Sequence, residues 1–226
     1  MDQFKKIAAL IGDPTRAAIM WTLIDNKAFT ATELAIVADT SPQNISMHLT
    51  KLVQADLLSV ESQGRHKYYK FSRKEIAYAI EAIATLIPPA AALKKTNTEN
   101  TSEIKYCRTC YDHLAGKVGV AITDSLLKQK IIIDKDKVFE LSKKGENWFA
   151  DFGIDVTGLQ EQRRSFLRPC LDWSERRHHI AGSLAAALLD KMFLADWIRR
   201  TKNSRAIVIT FKGQKEFYNY FKLNVK

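Results

Sequence analysis

The 226-residue sequence predicts a mainly α fold with small β-hairpins, divided into two parts. Three observations predict it. Capped helices with one apolar face follow one another through residues 3–54, two extended runs at 58–62 and 65–71 meet at Gln63-Gly64, and beyond a polar stretch the chain repeats a pattern at an offset of 66 to 68 residues. The length allows a buried core in each part.

Composition sets the outer limits. No run approaches the roughly 18 apolar residues needed to cross a bilayer, and the first residues lack a signal peptide's pattern, so no membrane partner is expected and the expected location is cytoplasmic. There Cys107, Cys110 and Cys170 stay reduced unless they hold a metal or sense oxidants. A net charge of +10 favours an anionic partner. Residues 1–87 hold only 10 basic against 9 acidic side chains, whereas residues 88–226 hold 25 against 16, so net charge alone is a weak argument for where such a partner binds.

In the first helix Phe4, Ile7, Ala8 and Ile11 form a stripe that Gly12 ends. Asp13-Pro14 is an N-cap followed by a first-turn proline, opening a helix that sends Ile19, Met20, Leu23 and Ile24 to the core. Thr30 and Glu33 have the spacing of a capping box for a short third helix. After a tight turn Ser41-Pro42 opens a fourth, so that a helix-turn-helix is formed. Stepping around this helix, Ile45, Leu49, Leu52 and Val53 share one side, and Gln43, Ser46, Met47, Thr50 and Gln54 the other. That second side carries amides and hydroxyls, groups that read base edges in a major groove.

The two extended runs make a hairpin, the wing of a winged helix-turn-helix. Arg65, His66, Lys67, Lys70, Arg73 and Lys74 form a basic cluster on it, suited to backbone phosphates or to blunting an edge strand. A helix from Lys74 to Leu86 with Ile76, Ile80, Ile83 and Leu86 along a stripe closes the first part, and Pro88-Pro89 stops it.

Gly12-Asp13-Pro14-Thr15-Arg16, Thr32-Glu33-Leu34-Ala35, the run from Ser41 to Leu52, Ala55-Asp56-Leu57-Leu58 and Gly64-Arg65-His66-Lys67-Tyr68-Tyr69 together resemble the arsenic-repressor (ArsR) family of bacterial regulators. The resemblance implies a homodimer joined through the first helix and the helix after the wing. It also implies binding to an inverted-repeat operator in double-stranded DNA, repression, and release by an inducer. By position it implies base-facing roles for Gln43, Ser46 and Met47 and wing contacts for Arg65 and Lys67; Ser41, Asn44, Thr50, Lys51 and His66 complete the expected DNA-binding set. Two departures stand out. The third helix carries Glu33-Leu34-Ala35-Ile36 where metal-sensing relatives have Cys-x-Cys, and the last helix offers Glu75 and Glu81 but no histidine.

Residues 88–103 read as a linker between a domain at 1–87 and one at 104–226. In the second, residues 112–116 match 178–182, residues 139–145 match 207–213, and Phe149 matches Phe217, giving two helix–hairpin–helix repeats at about 105–154 and 171–223. The expected hairpins span 131–141 and 197–209; the closing helices span 143–152 and 213–221. This half is similar to long members of the same family with a duplicated C-terminal domain.

Cys107, Cys110 and His113, with Cys170 and His178-His179 arriving from the second repeat, are its most reactive constellation. Three readings stay open. Cys107, Cys110, His113, Cys170 and His179 could share zinc or another thiophilic metal, with Cys110 and His113 spaced as neighbours on one helix face. The two cysteines could form a thiol switch beside Arg108. Or the residues simply pack, with Ala115-Gly116 and Ala181-Gly182 letting helices approach. Arg163, Arg164, Arg168, Arg176 and Arg177 form either a solvated face or an extra contact to an anion.

The sequence therefore predicts a non-enzymatic, sequence-specific DNA-binding regulator, a homodimeric repressor released by an unidentified small-molecule, metal or redox effector. The competing reading is a thiol- or zinc-handling protein, or an enzyme using the winged helix only to dimerise. Against the enzyme, the chain has no G-x-G-x-x-G, G-x-S-x-G or H-E-x-x-H.

Overall fold

The computed structural model describes residues 1–25, 27–64, 66–88, 102–136, 138–202 and 204–226. Two compact units result, Met1–Leu86 and Ile87–Lys226. Of the expected linker, residues 89–101 lie outside the described residues, and Ser102 already opens a helix.

In the first unit α1 (Asp2–Ile11) precedes α2 (Pro14–Thr22), whose start is fixed by Asp13: its Oδ1 accepts the Arg16 backbone N–H at 2.9 Å. A single 3₁₀ turn, Leu23–Asp25, ends α2 and buries Leu23 and Ile24 beside Ile19 and Met20. The Thr30–Glu33 capping box is formed in both directions and starts α3 (Ala31–Val37). Ser41 Oγ accepts from the Asn44 N–H at 3.2 Å and starts α4 (Pro42–Gln54).

Strands β2 (Leu58–Gln63) and β3 (His66–Phe71) pair antiparallel with Gln63 opposite His66, and Gly64, just beyond β2, takes φ +61°. A strand the sequence did not announce, β1 (Phe29–Thr30), pairs with β3 and gives the order β1-β3-β2. Two residues are too few to leave an alternating signature. Helix α5 (Lys74–Ala84) buries Ile76, Ala77, Ile80 and Ala84, while Ile83 and Leu86, expected on the same stripe, are exposed.

The second unit opens with α6 (Ser102–Tyr106), β4 (Arg108–Cys110), β5 (His113–Ala115), α7 (Gly116–Lys128), β6 (Ile132–Lys135), β7 (Val138–Leu141) and α8 (Lys143–Asp151). After α9 (Val156–Gln160) come β8 (Arg168–Leu171), β9 (His178–Ala181), α10 (Ser183–Leu194), β10 (Ile198–Arg200), β11 (Ile207–Ile209) and α11 (Phe211–Phe221). The order hairpin, helix, hairpin, helix thus occurs twice, with one hairpin more in each run than the sequence led us to expect.

The two runs interlock. Helix α7 packs on β9, α10 packs on β5, and the β4 edge bonds to the end of the second run through Thr109 N–H to Arg205 O at 3.0 Å and Ile207 N–H to Cys107 O at 2.9 Å. Matching glycines open α7 and α10. Gly116 (φ +77°) and Gly182 (φ +102°) are left-handed, and a Cβ would come within 2.6 Å of Lys105 O in the first case and 2.5 Å of Phe166 O in the second. One apolar core joins both runs, with Leu126, Ile131 and Phe149 of the first packed with Leu184, Met192 and Phe217 of the second.

Candidate nucleic-acid interface

The orientation of α4 follows from burial. Ile45, Leu49 and Leu52 are at most 1% exposed, each worth about 1.5–3 kcal/mol if buried rather than solvated, so rotating the helix to hide its polar face would cost several kcal/mol. Ser41, Gln43, Asn44, Ser46, Met47, Thr50 and Lys51 are all exposed in consequence. The hydroxyls are partly engaged: Ser46 Oγ donates to Pro42 O at 3.0 Å and Thr50 Oγ1 to Ser46 O at 2.8 Å, which leaves their lone pairs outward. Gln43, Asn44 and the Met47 thioether are the exposed groups best shaped to meet base edges and thymine methyls.

The wing keeps fewer cations for phosphate than its sequence suggests. Lys70 Nζ lies 2.7 Å from Glu61 Oε2 and Arg73 Nη1 lies 2.5 Å from Asp56 Oδ2, both pairs within the first unit. His66 and Lys67 are exposed on β3; Arg65 lies outside the described residues.

Sequence reasoning missed the network that ties α1 to the helix-turn-helix. Arg16, 9% exposed, donates from Nε to Leu10 O at 2.7 Å and from Nη2 to Ala9 O at 3.0 Å, satisfying the carbonyl end of α1. Its Nη1 lies 3.5 Å from both Asp13 Oδ2 and His48 Nδ1, so α2 and α4 meet there too. The Arg16 amide hydrogen bond holds the Asp13 carboxyl below its ordinary value of 3.8; burial opposes this, and the Arg16 and His48 charges assist. An arginine two residues after Asp-Pro was the available signal.

In the second unit the reactive residues sort differently from the expectation. Cys110 and His113 lie directly opposite each other on the hairpin β4–β5, not on a helix, because the chain reverses at Tyr111, which takes φ +63°. Cys170 and His179 face each other in the same way on β8–β9. The ligand atoms of these four residues all lie within 4.8 Å of one another. Cys107 stands apart from that set: fully buried before β4, its thiol is pushed above the ordinary range by desolvation in spite of Arg108. The Cys170 thiol is held below the ordinary range, first by its hydrogen bond with Cys110, against burial, and then by His113 and His179.

A carboxylate stands behind each imidazole. Asp112 Oδ1 is 3.3 Å from His113 Nδ1 and is backed by Arg164 at 2.7 Å; the His113 hydrogen bond holds its carboxyl at about 2, against partial burial and with help from Arg164. Asp172 Oδ2 is 3.4 Å from His179 Nδ1. Full burial works against the Asp172 charge, yet His179, Arg108, Ser174 and the Gly116 amide together keep its carboxyl far below the usual range.

Among the described residues no single helix is long and apolar enough to cross a membrane. The helix-turn-helix domain family HTH_20 matches residues 11–61. The HTH-type transcriptional regulator YdfF of Bacillus subtilis (strain 168) is 42% identical over 221 residues, covering 98% of this chain and 97% of that protein. Among solved structures, the homodimeric winged helix-turn-helix DNA-binding domain of Mb0332 from Mycobacterium bovis is 17% identical over 36% of this chain and 75% of that one, with a TM-score of 0.34. The cadmium metal-sensor CMTR from Mycobacterium tuberculosis is 23% identical over 42% of this chain and 93% of that one, with a TM-score of 0.32. With a relative at that identity along nearly the whole of both chains and a winged helix-turn-helix in its first unit, the chain belongs to the HTH-type transcriptional regulators.

Proposed function

We propose that this protein is a cytoplasmic, homodimeric repressor that lays α4 in the major groove of an inverted-repeat operator and is released by an effector acting on its second unit. The observation that carries the reading is the exposed polar face of α4, with Gln43, Asn44, Ser46, Met47, Thr50 and Lys51 outward and its apolar face spent on the core. His66 and Lys67, with Arg65, serve the phosphates from the wing. Two-fold pairing is supported by apolar side chains that the single chain leaves in water: Phe4 on α1 is 73% exposed and Leu86 after α5 is 78% exposed.

The second unit is read as an internal duplication. His113 and His179, Gly116 and Gly182, and the caps Ser142 and Thr210, which accept from Gly145 and Gly213 at 2.9 Å, occupy matching places. The test is footprinting of the full-length protein on the DNA upstream of its own gene. A protected inverted repeat that is lost on substitution of Gln43 and Asn44 supports the reading; no protection at physiological salt overturns it.

A further inference from the structure

We propose that Cys110, His113, Cys170 and His179 form a four-coordinate site for zinc(II) that closes the hairpins β4–β5 and β8–β9 on one ion. This stands whether or not α4 reads an operator.

The two imidazoles are the starting point. His113 turns Nδ1 toward Asp112 at 3.3 Å and His179 turns Nδ1 toward Asp172 at 3.4 Å, so their Nε2 atoms meet across 3.1 Å in rings that are 2% and 0% exposed. Two imidazole nitrogens this close and sealed from water share either a proton or a cation. With each Nδ1 facing a carboxylate, each Nε2 is the nitrogen placed to bind a metal.

The sulfurs say which cation. Cys110 and Cys170 bring their Sγ atoms to the same point, all four ligand atoms falling within 4.8 Å of one another. Four ligands bonded at about 2.0–2.3 Å to a tetrahedral zinc stand about 3.3–3.8 Å apart, so only small side-chain rotations separate the observed set from a coordination shell. Two thiolates and two neutral imidazoles cancel the charge of a divalent ion, which suits burial. The hard cations calcium and magnesium prefer an oxygen shell instead.

Strand register explains the assembly. Each hairpin sets one cysteine directly opposite one histidine, on one face and within side-chain reach, and the interlocked runs bring the two pairs together. Asp112 and Asp172 then fix ring orientation, each held in turn by an arginine, Arg164 at 2.7 Å and Arg108 at 2.9 Å. Four protein ligands make a closed site of the structural kind.

Full-length protein, stripped with chelator under reducing conditions, is titrated with cobalt(II) and then zinc(II). One cobalt per chain is expected, with the strong visible bands of a tetrahedral ion and a thiolate-to-cobalt charge-transfer band, both removed by one equivalent of zinc. Cys110→Ser and Cys170→Ser each weaken binding by more than the roughly 10–100-fold that loss of an outer-shell partner costs, while Cys107→Ser leaves it unchanged. Where a serine variant fails to fold, His179→Cys tests the same point, because it keeps four ligands and strengthens the charge-transfer band. A weak octahedral spectrum, cobalt bound equally well by Cys110→Ser, no change in the band in His179→Cys, or a Cys110–Cys170 disulfide that keeps both thiols from alkylation until reduced, each overturns the proposal.

Discussion

Arg108 Nη2 donates to Asp172 Oδ2 at 2.9 Å with both side chains sealed from water, 1% and 0% exposed, and the pair joins the first hairpin of one run to the turn after β8 in the other. The guanidinium is further held by Ile104 O at 3.0 Å and Ser174 Oγ at 3.3 Å and lies 4.9 Å from the centre of the Trp173 ring. Removing the cation alone strands a buried carboxylate. Arg108→Met is therefore expected to destabilise the second unit by about 3–5 kcal/mol, whereas the double change with Asp172→Asn recovers part of that loss. Urea unfolding of the single and double variants checks this, and equal losses in the two would contradict it.

The closing helices α8 and α11 approach the preceding hairpins through glycines. A Cβ on Gly145 would overlap the Ile131 carbonyl oxygen, and one on Gly213 the Trp197 carbonyl oxygen, backbone atoms that cannot swing aside. Gly145→Ala and Gly213→Ala should each cost about 1–3 kcal/mol. Calorimetry reads the result as a lowered midpoint in both variants, and an unchanged midpoint would show that the helices can shift freely.

Asp13 should make the first unit sensitive to acid. Its folded carboxyl titrates below its ordinary value, so its stabilisation is fully present above about pH 4, where the unfolded group is ionised, and fades as pH falls through the lower folded value. Asp13→Ala is expected to cost about 1 kcal/mol at neutral pH; Asp13→Asn keeps an acceptor for the Arg16 amide but loses this pH dependence. Denaturation curves at pH 7 and pH 3 separate the two variants.

On DNA the helix and the wing should behave differently. Gln43→Ala is expected to relax base preference at one position, at a cost of about 1–3 kcal/mol on the preferred sequence. Lys67→Ala should weaken all sequences alike and lower the slope of log affinity against log salt by about 1. Binding isotherms at several salt concentrations check both, and a Lys67→Ala protein with an unchanged slope removes that residue from the phosphate contacts.

Since α1 has no buried residue, Phe4→Asp should leave the fold intact and weaken self-association. Each apolar side chain withdrawn from water at an interface contributes about 1.5–3 kcal/mol, so the dimer dissociation constant should rise at least about 10-fold. Sedimentation equilibrium decides it.

How much of this was legible in the sequence depended on distance along the chain. The caps at Asp13, Thr30 and Ser41 are contacts three residues long, and each started its helix where composition indicated. The hairpins of the second unit were harder. Cys110 and His113 have helical spacing, and strands of three residues carry no alternation to contradict it. The repeat aligned His113 with His179 at 66 residues but hid the cysteines, because Cys110 and Cys170 differ by 60: two residues separate Cys110 from His113, and eight separate Cys170 from His179. A longer turn in the second hairpin shifted one ligand out of phase with the other. The Arg108–Asp172 pair, 64 residues apart, left no local trace.

Because the two runs share one polypeptide, the Cys–His pair on β4–β5 meets the pair on β8–β9 at an effective local concentration fixed by the intervening chain. Under the proposed zinc binding, ion capture between the hairpins would depend on free metal and not on how many copies of the protein a cell contains, so dilution that would separate a two-chain version of this clasp would leave the single-chain one shut.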